Sequence, residues 1–213
     1  MELKNIRSRI FTIAILLLSV IAIASCKNND KNDKPNIENN DIFPSEFVNI
    51  TKNKKVYLTS FGQSKEVEDL GLFLYKSKKI DYVQDNKLEI DDVEDDAIVF
   101  AVVGCSIKGL EAQNTTKAKE IERCKKFVAA KTEGKITLIT WHLGGMSRRG
   151  TTSDEIISVA LAGSNFSIYV VTGNEDGYLS TTLSENGISY YSIKNITQLE
   201  KPINYLFGFN SEE

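Results

Sequence analysis

Ala97-Ile98-Val99-Phe100-Ala101-Val102-Val103 runs without a polar residue into Gly104. Successive strand side chains point to opposite faces, so a run that is apolar at both parities is covered on both, as in an inner strand of a parallel sheet. Val56-Tyr57-Leu58-Thr59-Ser60, Ile136 to Trp141, Ser167 to Thr172 and Ile188 to Ile193 read as further strands, and Ile80 to Leu88 as a weaker one. Helical patterns separate them. Lys65 to Lys79 places Val67, Leu70, Phe73 and Leu74 on one face; Thr116 to Lys131 places Ala118, Ile121, Phe127 and Val128 inward, with Gly134 as a stop; Leu179 to Asn186 ends at Gly187. Thr152-Ser153-Asp154-Glu155 has capping-box spacing, which predicts a helix starting there and running to Leu161. Ile196 to Phe207 reads as a closing helix interrupted at Pro202. This alternation predicts an α/β fold: a doubly wound, mostly parallel sheet of about five strands, Rossmann-like or flavodoxin-like, in three layers.

At the N-terminus Lys4, Arg7 and Arg9 precede an apolar stretch from Ile10 to Ile23, and Ala24-Ser25 lead into Cys26. The stretch falls short of the roughly 20 residues that span a bilayer. It resembles a bacterial lipoprotein signal, in which the cysteine thiol receives diacylglycerol and the chain is cut just before it. The expected organisation is a signal peptide over residues 1–25, a flexible tether over 26–43 and one α/β domain over 44–213. The tether carries almost nothing apolar, so burial cannot offset the entropy of ordering it. The expected location is the cell membrane, lipid-anchored through Cys26 on the extracytoplasmic face.

Composition excludes several classes. The chain carries 26 basic and 29 acidic residues; without Lys4, Arg7, Arg9 and Glu2 these become 23 and 28, a net charge of −5. A mildly acidic protein is not expected to bind nucleic acid. Besides Cys26 only Cys105 and Cys124 remain, read as two partly buried free thiols, and His142 is the single histidine. That set is too small for a zinc site. Neither GxGxxG nor GxxxxGK[ST] occurs, which disfavours a dinucleotide or P-loop site, and no cofactor is expected.

Four polar, glycine-rich segments each follow a predicted strand: 60–64, 104–109, 142–150 and 172–177. In a parallel sheet the strand C-termini share one edge, where open α/β folds bind ligands. The candidate ligand residues there are Ser60, Gln63, Ser64, Ser106, Lys108, His142, Gly144, Gly145, Arg148, Arg149, Ser153, Asp154, Asn174 and Asp176. Lys108, Arg148 and Arg149, with the N-termini of the helices after Ser64 and Thr152, favour an anion. One arginine of the adjacent pair is expected to serve instead as a structural partner of Asp154 or Asp176. Cys105 and His142 end consecutive strands of the expected central sheet, so a Cys–His pair oriented by Asp154 or Asp176 is conceivable.

The same loops carry Thr59-Ser60-x-Gly62-Gln63-Ser64, Ser106-x-Lys108-Gly109-Leu110-x-Ala112, Glu122-Arg123, His142-x-Gly144-Gly145-x-x-Arg148-Arg149-Gly150-x-x-Ser153-Asp154 and Gly173-Asn174-x-Asp176-Gly177. With these the chain resembles a bacterial family of extracytoplasmic proteins, the domain of unknown function numbered 6305. The resemblance implies a shared fold and a shared site over the whole mature domain, without an activity. There are two departures from the family pattern: the usual K-G-L-G-A-A reads Lys108-Gly109-Leu110-Glu111-Ala112-Gln113, and Cys105 replaces a small residue. The second counts against a cysteine nucleophile. The expected function is binding of a small anionic solute, with the membrane reached through the lipid and a membrane protein as a candidate partner. The alternative is a cell-surface hydrolase or transferase using His142 with Asp154 or Asp176.

Overall fold

The computed structural model describes residues 42–76 and 80–209. The expected signal, Cys26 and the tether up to Asp41 lie outside the described residues. Strands are β1 (Val56–Phe61), β2 (Tyr82–Gln84), β3 (Ala97–Val103), β4 (Ile136–His142), β5 (Phe166–Val170) and β6 (Ser189–Ile193). They form one sheet of six strands in the order β2-β1-β3-β4-β5-β6, each neighbouring pair parallel. All strand C-termini therefore share an edge. The helices are α1 (Glu66–Lys76), α2 (Ile107–Ala112), α3 (Lys117–Thr132), α4 (Thr151–Ala162), α5 (Tyr178–Glu185) and α6 (Glu200–Phe207).

The apolar run at 97–103 is fully buried because alternate residues feed two separate cores. Ile98, Phe100 and Val102 pack under Leu70 and Leu74 of α1 and Ile203 and Leu206 of α6. Val99, Ala101 and Val103 pack under Phe127 of α3, Ile156 and Ile157 of α4 and Leu183 of α5. This is a three-layer α/β fold. From β1 the chain crosses to β2 at one edge and then returns past β1 to β3, so the winding reverses between β1 and β3. That reversal separates the loops after β1 and β3, the crevice in which doubly wound sheets hold ligands.

The structure refines the sequence reading in several places. Six strands replace about five, because Tyr82–Gln84 forms a short edge strand inside the weak segment 80–88. The polar segment 104–109, read as loop, turns helical at Ile107, where α2 begins, with Ser106 Oγ accepting from the Gly109 N–H at 3.1 Å as its cap. Helix α4 begins at Thr151, so Thr152 lies inside it and caps nothing; Gly150, at φ 113°, is the capping position. Pro202 does not interrupt the closing helix. It sits in the first turn of α6, where no intrahelical N–H is needed, and the break falls earlier, after a 3₁₀ turn at Ile196–Gln198. Packing also reaches back to Phe43, whose ring lies 4.7 Å from that of Tyr205 and 5.2 Å from that of Phe166.

Candidate functional site

The loops after β1 and β3 are tied to each other and to α3. Ser106 N–H donates to Gly62 O at 3.0 Å, and Gln63 pairs with Cys105 in an antiparallel bridge. Glu120 of α3 sits beneath them, buried. Its carboxylate accepts from the Gly62 N–H at 3.0 Å, from Gln63 Nε2 at 3.2 Å and from Arg123 Nη2 at 2.7 Å. Arg123 also donates to Thr59 Oγ1 at 3.3 Å, Leu88 O at 3.0 Å and Ser60 O, with Phe61 against its face. A buried carboxylate and guanidinium thus fix the C-terminal end of β1, and Gln63 serves that network, not the crevice.

Above it lies a second cluster. Ser60 Oγ accepts from the Ser64 N–H at 3.0 Å, and Ser64 Oγ donates to the Glu66 carboxylate in the first turn of α1. Arg148 Nε donates to Glu66 Oε1 and Oε2 at 2.9 and 3.0 Å. Burial pushes the Glu66 carboxyl up, but hydrogen bonds from Ser64, its own backbone N–H and Arg148 outweigh this and hold it below its ordinary value. Arg148 reaches α1 through a slot between two glycines. A Cβ on Gly144 would lie 1.9 Å from Arg148 Cγ, and one on Gly104 would lie 3.3 Å from Arg148 Cβ. Only Nε is spent on Glu66. The two terminal nitrogens have no acceptor among the described residues and are not closed off from solvent.

Arg149 is placed differently. Its side chain is 2% exposed, and all five donors are engaged. Nε and Nη2 reach Asp154 at 2.7 and 3.4 Å, Nη1 reaches Gly173 O at 2.6 Å and Asp176 at 3.2 Å, and Nη2 reaches Asp176 at 3.1 Å. The Tyr178 ring covers its face, 4.4 Å from the centroid. Burial pushes the Asp176 carboxyl up, but Arg149 and the Tyr178 N–H hold it below its ordinary value. Asn174 donates to Ser180 Oγ at 3.0 Å and accepts from the Ser180 N–H at 3.1 Å, which caps α5. Ser153 Oγ accepts from the Cys105 N–H at 2.6 Å. Arg149, Ser153, Asp154, Asn174 and Asp176 therefore stitch the loops after β3, β4 and β5 together.

His142 is fully buried at the end of β4, with Nδ1 3.0 Å from Val103 O and Nε2 3.1 Å from Gly145 O. Burial pushes its pKa down, against the pull of the two carbonyls. It is hydrogen-bonded to neither Asp154 nor Asp176, so the acid–base set of the alternative reading is not assembled. Nor is a Cys–His pair: both imidazole nitrogens face backbone carbonyls, and burial pushes the Cys105 thiol up, away from thiolate character.

Ser60, Ser64, Arg148 and the two glycines of its slot thus meet at the reversal between β1 and β3. Lys108, exposed in the first turn of α2, lies on the same edge, as does exposed Lys65 at the start of α1; neither ammonium has a hydrogen bond or ion pair among the described residues. Sequence reasoning missed Glu66 and Glu120. Their signals were there: Glu66 stands two residues after Ser64, the last residue of the first polar segment, and Glu120 stands three residues before Arg123, a helix-pair spacing. Glu122, which the motif names beside Arg123, is instead exposed and pairs with Lys125. A family model described as Domain of unknown function (DUF6305) matches residues 53–207. No curated protein and no solved structure matches the chain.

Proposed function

The chain belongs to the domain-of-unknown-function family DUF6305, and from that footing we propose that it binds a small anionic solute at the reversal between β1 and β3. The observation that carries this is the Arg148 guanidinium: Glu66 orients it through Nε, leaving a planar pair of donors without an acceptor among the described residues. Such a fork matches a carboxylate or phosphate edge. Lys108 and Lys65 on the same edge add positive charge, so with Glu66 ionised this group keeps an excess of cations. We place the protein on the extracytoplasmic face, anchored by a lipid on Cys26 and able to hand its ligand to a membrane protein partner. The acid–base reading has no comparable support, since His142, Asp154 and Asp176 are spent on backbone carbonyls and on Arg149.

A thermal-shift panel of carboxylates, phosphates and nucleotides at constant ionic strength tests the proposal, because a ligand that binds only the folded state raises Tm by mass action. At least one of these anions is expected to raise Tm. Charge-assisted hydrogen bonds are worth about 1.5–3 kcal/mol each, so Arg148→Ala, which removes both donors of the fork, is expected to weaken that anion by about a hundredfold or more. The proposal fails if no class of anion shifts the wild type, or if the shift survives Arg148→Ala unchanged.

A further inference from the structure

Among the described residues, His142 is the one buried titratable group whose hydrogen bonds end on the two walls of the Arg148 slot. Its Nδ1 faces the carbonyl of Val103, the residue before Gly104, and its Nε2 faces the carbonyl of Gly145, the residue after Gly144. Gly104 and Gly144 are the glycines against which the Arg148 stem packs. Gly145 also opens the 3₁₀ turn Gly145–Arg148, at whose end Arg148 stands.

Two carbonyl oxygens can both be satisfied only by two N–H donors. A neutral imidazole has one, so its other nitrogen presents a lone pair to a carbonyl oxygen about 3 Å away, which is repulsive. The imidazolium has two and can hold both walls. We propose that His142 is a positioning residue that works as a proton-operated clasp: its protonation closes the Arg148 slot, and an anion on Arg148 and the proton on His142 favour each other's binding. The inference rests on the anion reading and adds its regulation.

The surrounding charges are divided. From the loop after β4, Arg149 opposes the proton; from α4, Asp154 favours it. Tyr169 of β5 is registered beside His142, and burial keeps its phenol neutral. The contacts from β3 and from the turn that opens at Gly145 are backbone carbonyls. Burial in a fully enclosed position favours the neutral imidazole when the slot is empty. An anion two walls away adds the negative charge that tips the balance, and linkage makes the effect reciprocal.

The chain contains a single histidine, so ring-labelled histidine gives one unambiguous NMR signal from the full chain in detergent. Sulfate is the probe, because it remains a dianion throughout pH 5–8. The expected result is one titration midpoint that rises by about one pH unit with sulfate in the wild type and does not rise in Arg148→Ala. By reciprocity sulfate should then bind about tenfold tighter at pH 5 than at pH 8, and His142→Asn should flatten that profile. If sulfate raises Tm but leaves the midpoint unmoved, the clasp is wrong and the anion site stands. If sulfate gives no thermal shift at any pH in this range, the clasp is overturned together with a sulfate-binding Arg148 site. A ring that never titrates between pH 5 and 8, with or without sulfate, also overturns it.

Discussion

Arg148 and Arg149 are neighbours in sequence and do opposite work. Arg149 is enclosed by two aspartates, a carbonyl and a tyrosine ring, while Arg148 spends one donor on Glu66. Consecutive residues leave a turn in different directions, so the sequence could say that one of the pair would be structural but not which. The carboxylates that hold them set an acid limit. The Glu66 and Asp176 carboxyls lie below their ordinary 4.5 and 3.8, so the folded state binds fewer protons than the unfolded chain near pH 4. Their stabilisation is present above those ordinary values and lost as pH falls through the folded ones. We expect urea unfolding to show Glu66→Gln less stable than the wild type at pH 7 and the gap to narrow below pH 4.5. A gap constant with pH would remove Glu66 as the linked group.

At the scale of elements, the buried Glu120–Arg123 pair joins α3 to the end of β1. Breaking one partner of such a pair costs about 3–5 kcal/mol, because the other charge is left buried and unpaired. Glu120→Ala is therefore expected to lower the unfolding free energy by that much, and Glu120→Leu combined with Arg123→Met by clearly less. Equal losses in the single and double variants would show that packing and not charge holds the joint. Regular elements were largely legible in the sequence because each of the strands β1, β3, β4 and β5 buries nearly every residue and each long helix shows an apolar stripe. What escaped was short or capped by backbone. Helix α2 spans six residues, too few for periodicity, and the start of α4 is set by Gly150 and by Arg149 holding Asp154, not by Thr152.

For the whole molecule, the parallel sheet brings four loops to one edge, and this followed from alternating strands and helices alone. Strand order did not, since the pattern of elements is the same whichever side each crossover takes; only the order β2-β1-β3 puts the reversal beside Arg148. The Cys26 anchor rests on the N-terminal sequence and is tested separately. We expect a fatty-acid label to mark the wild type in cells and to be lost in Cys26→Ser; a labelled, membrane-bound serine variant would refute it. Among the described residues no helix is long and apolar enough to cross a membrane. The central claim is that Arg148 faces a ligand while Arg149 holds the fold. Tm of Arg148→Ala and Arg149→Ala, measured with sulfate and with sodium chloride at equal ionic strength, tests it most directly. Arg148→Ala should lose in chloride only the part of Tm that its Glu66 ion pair supplies, and should lose the extra stabilisation by sulfate; Arg149→Ala should show a clearly larger Tm loss in both salts. Equal Tm losses in chloride with sulfate stabilisation retained in both variants would make Arg148 a structural ion-pair partner like its neighbour.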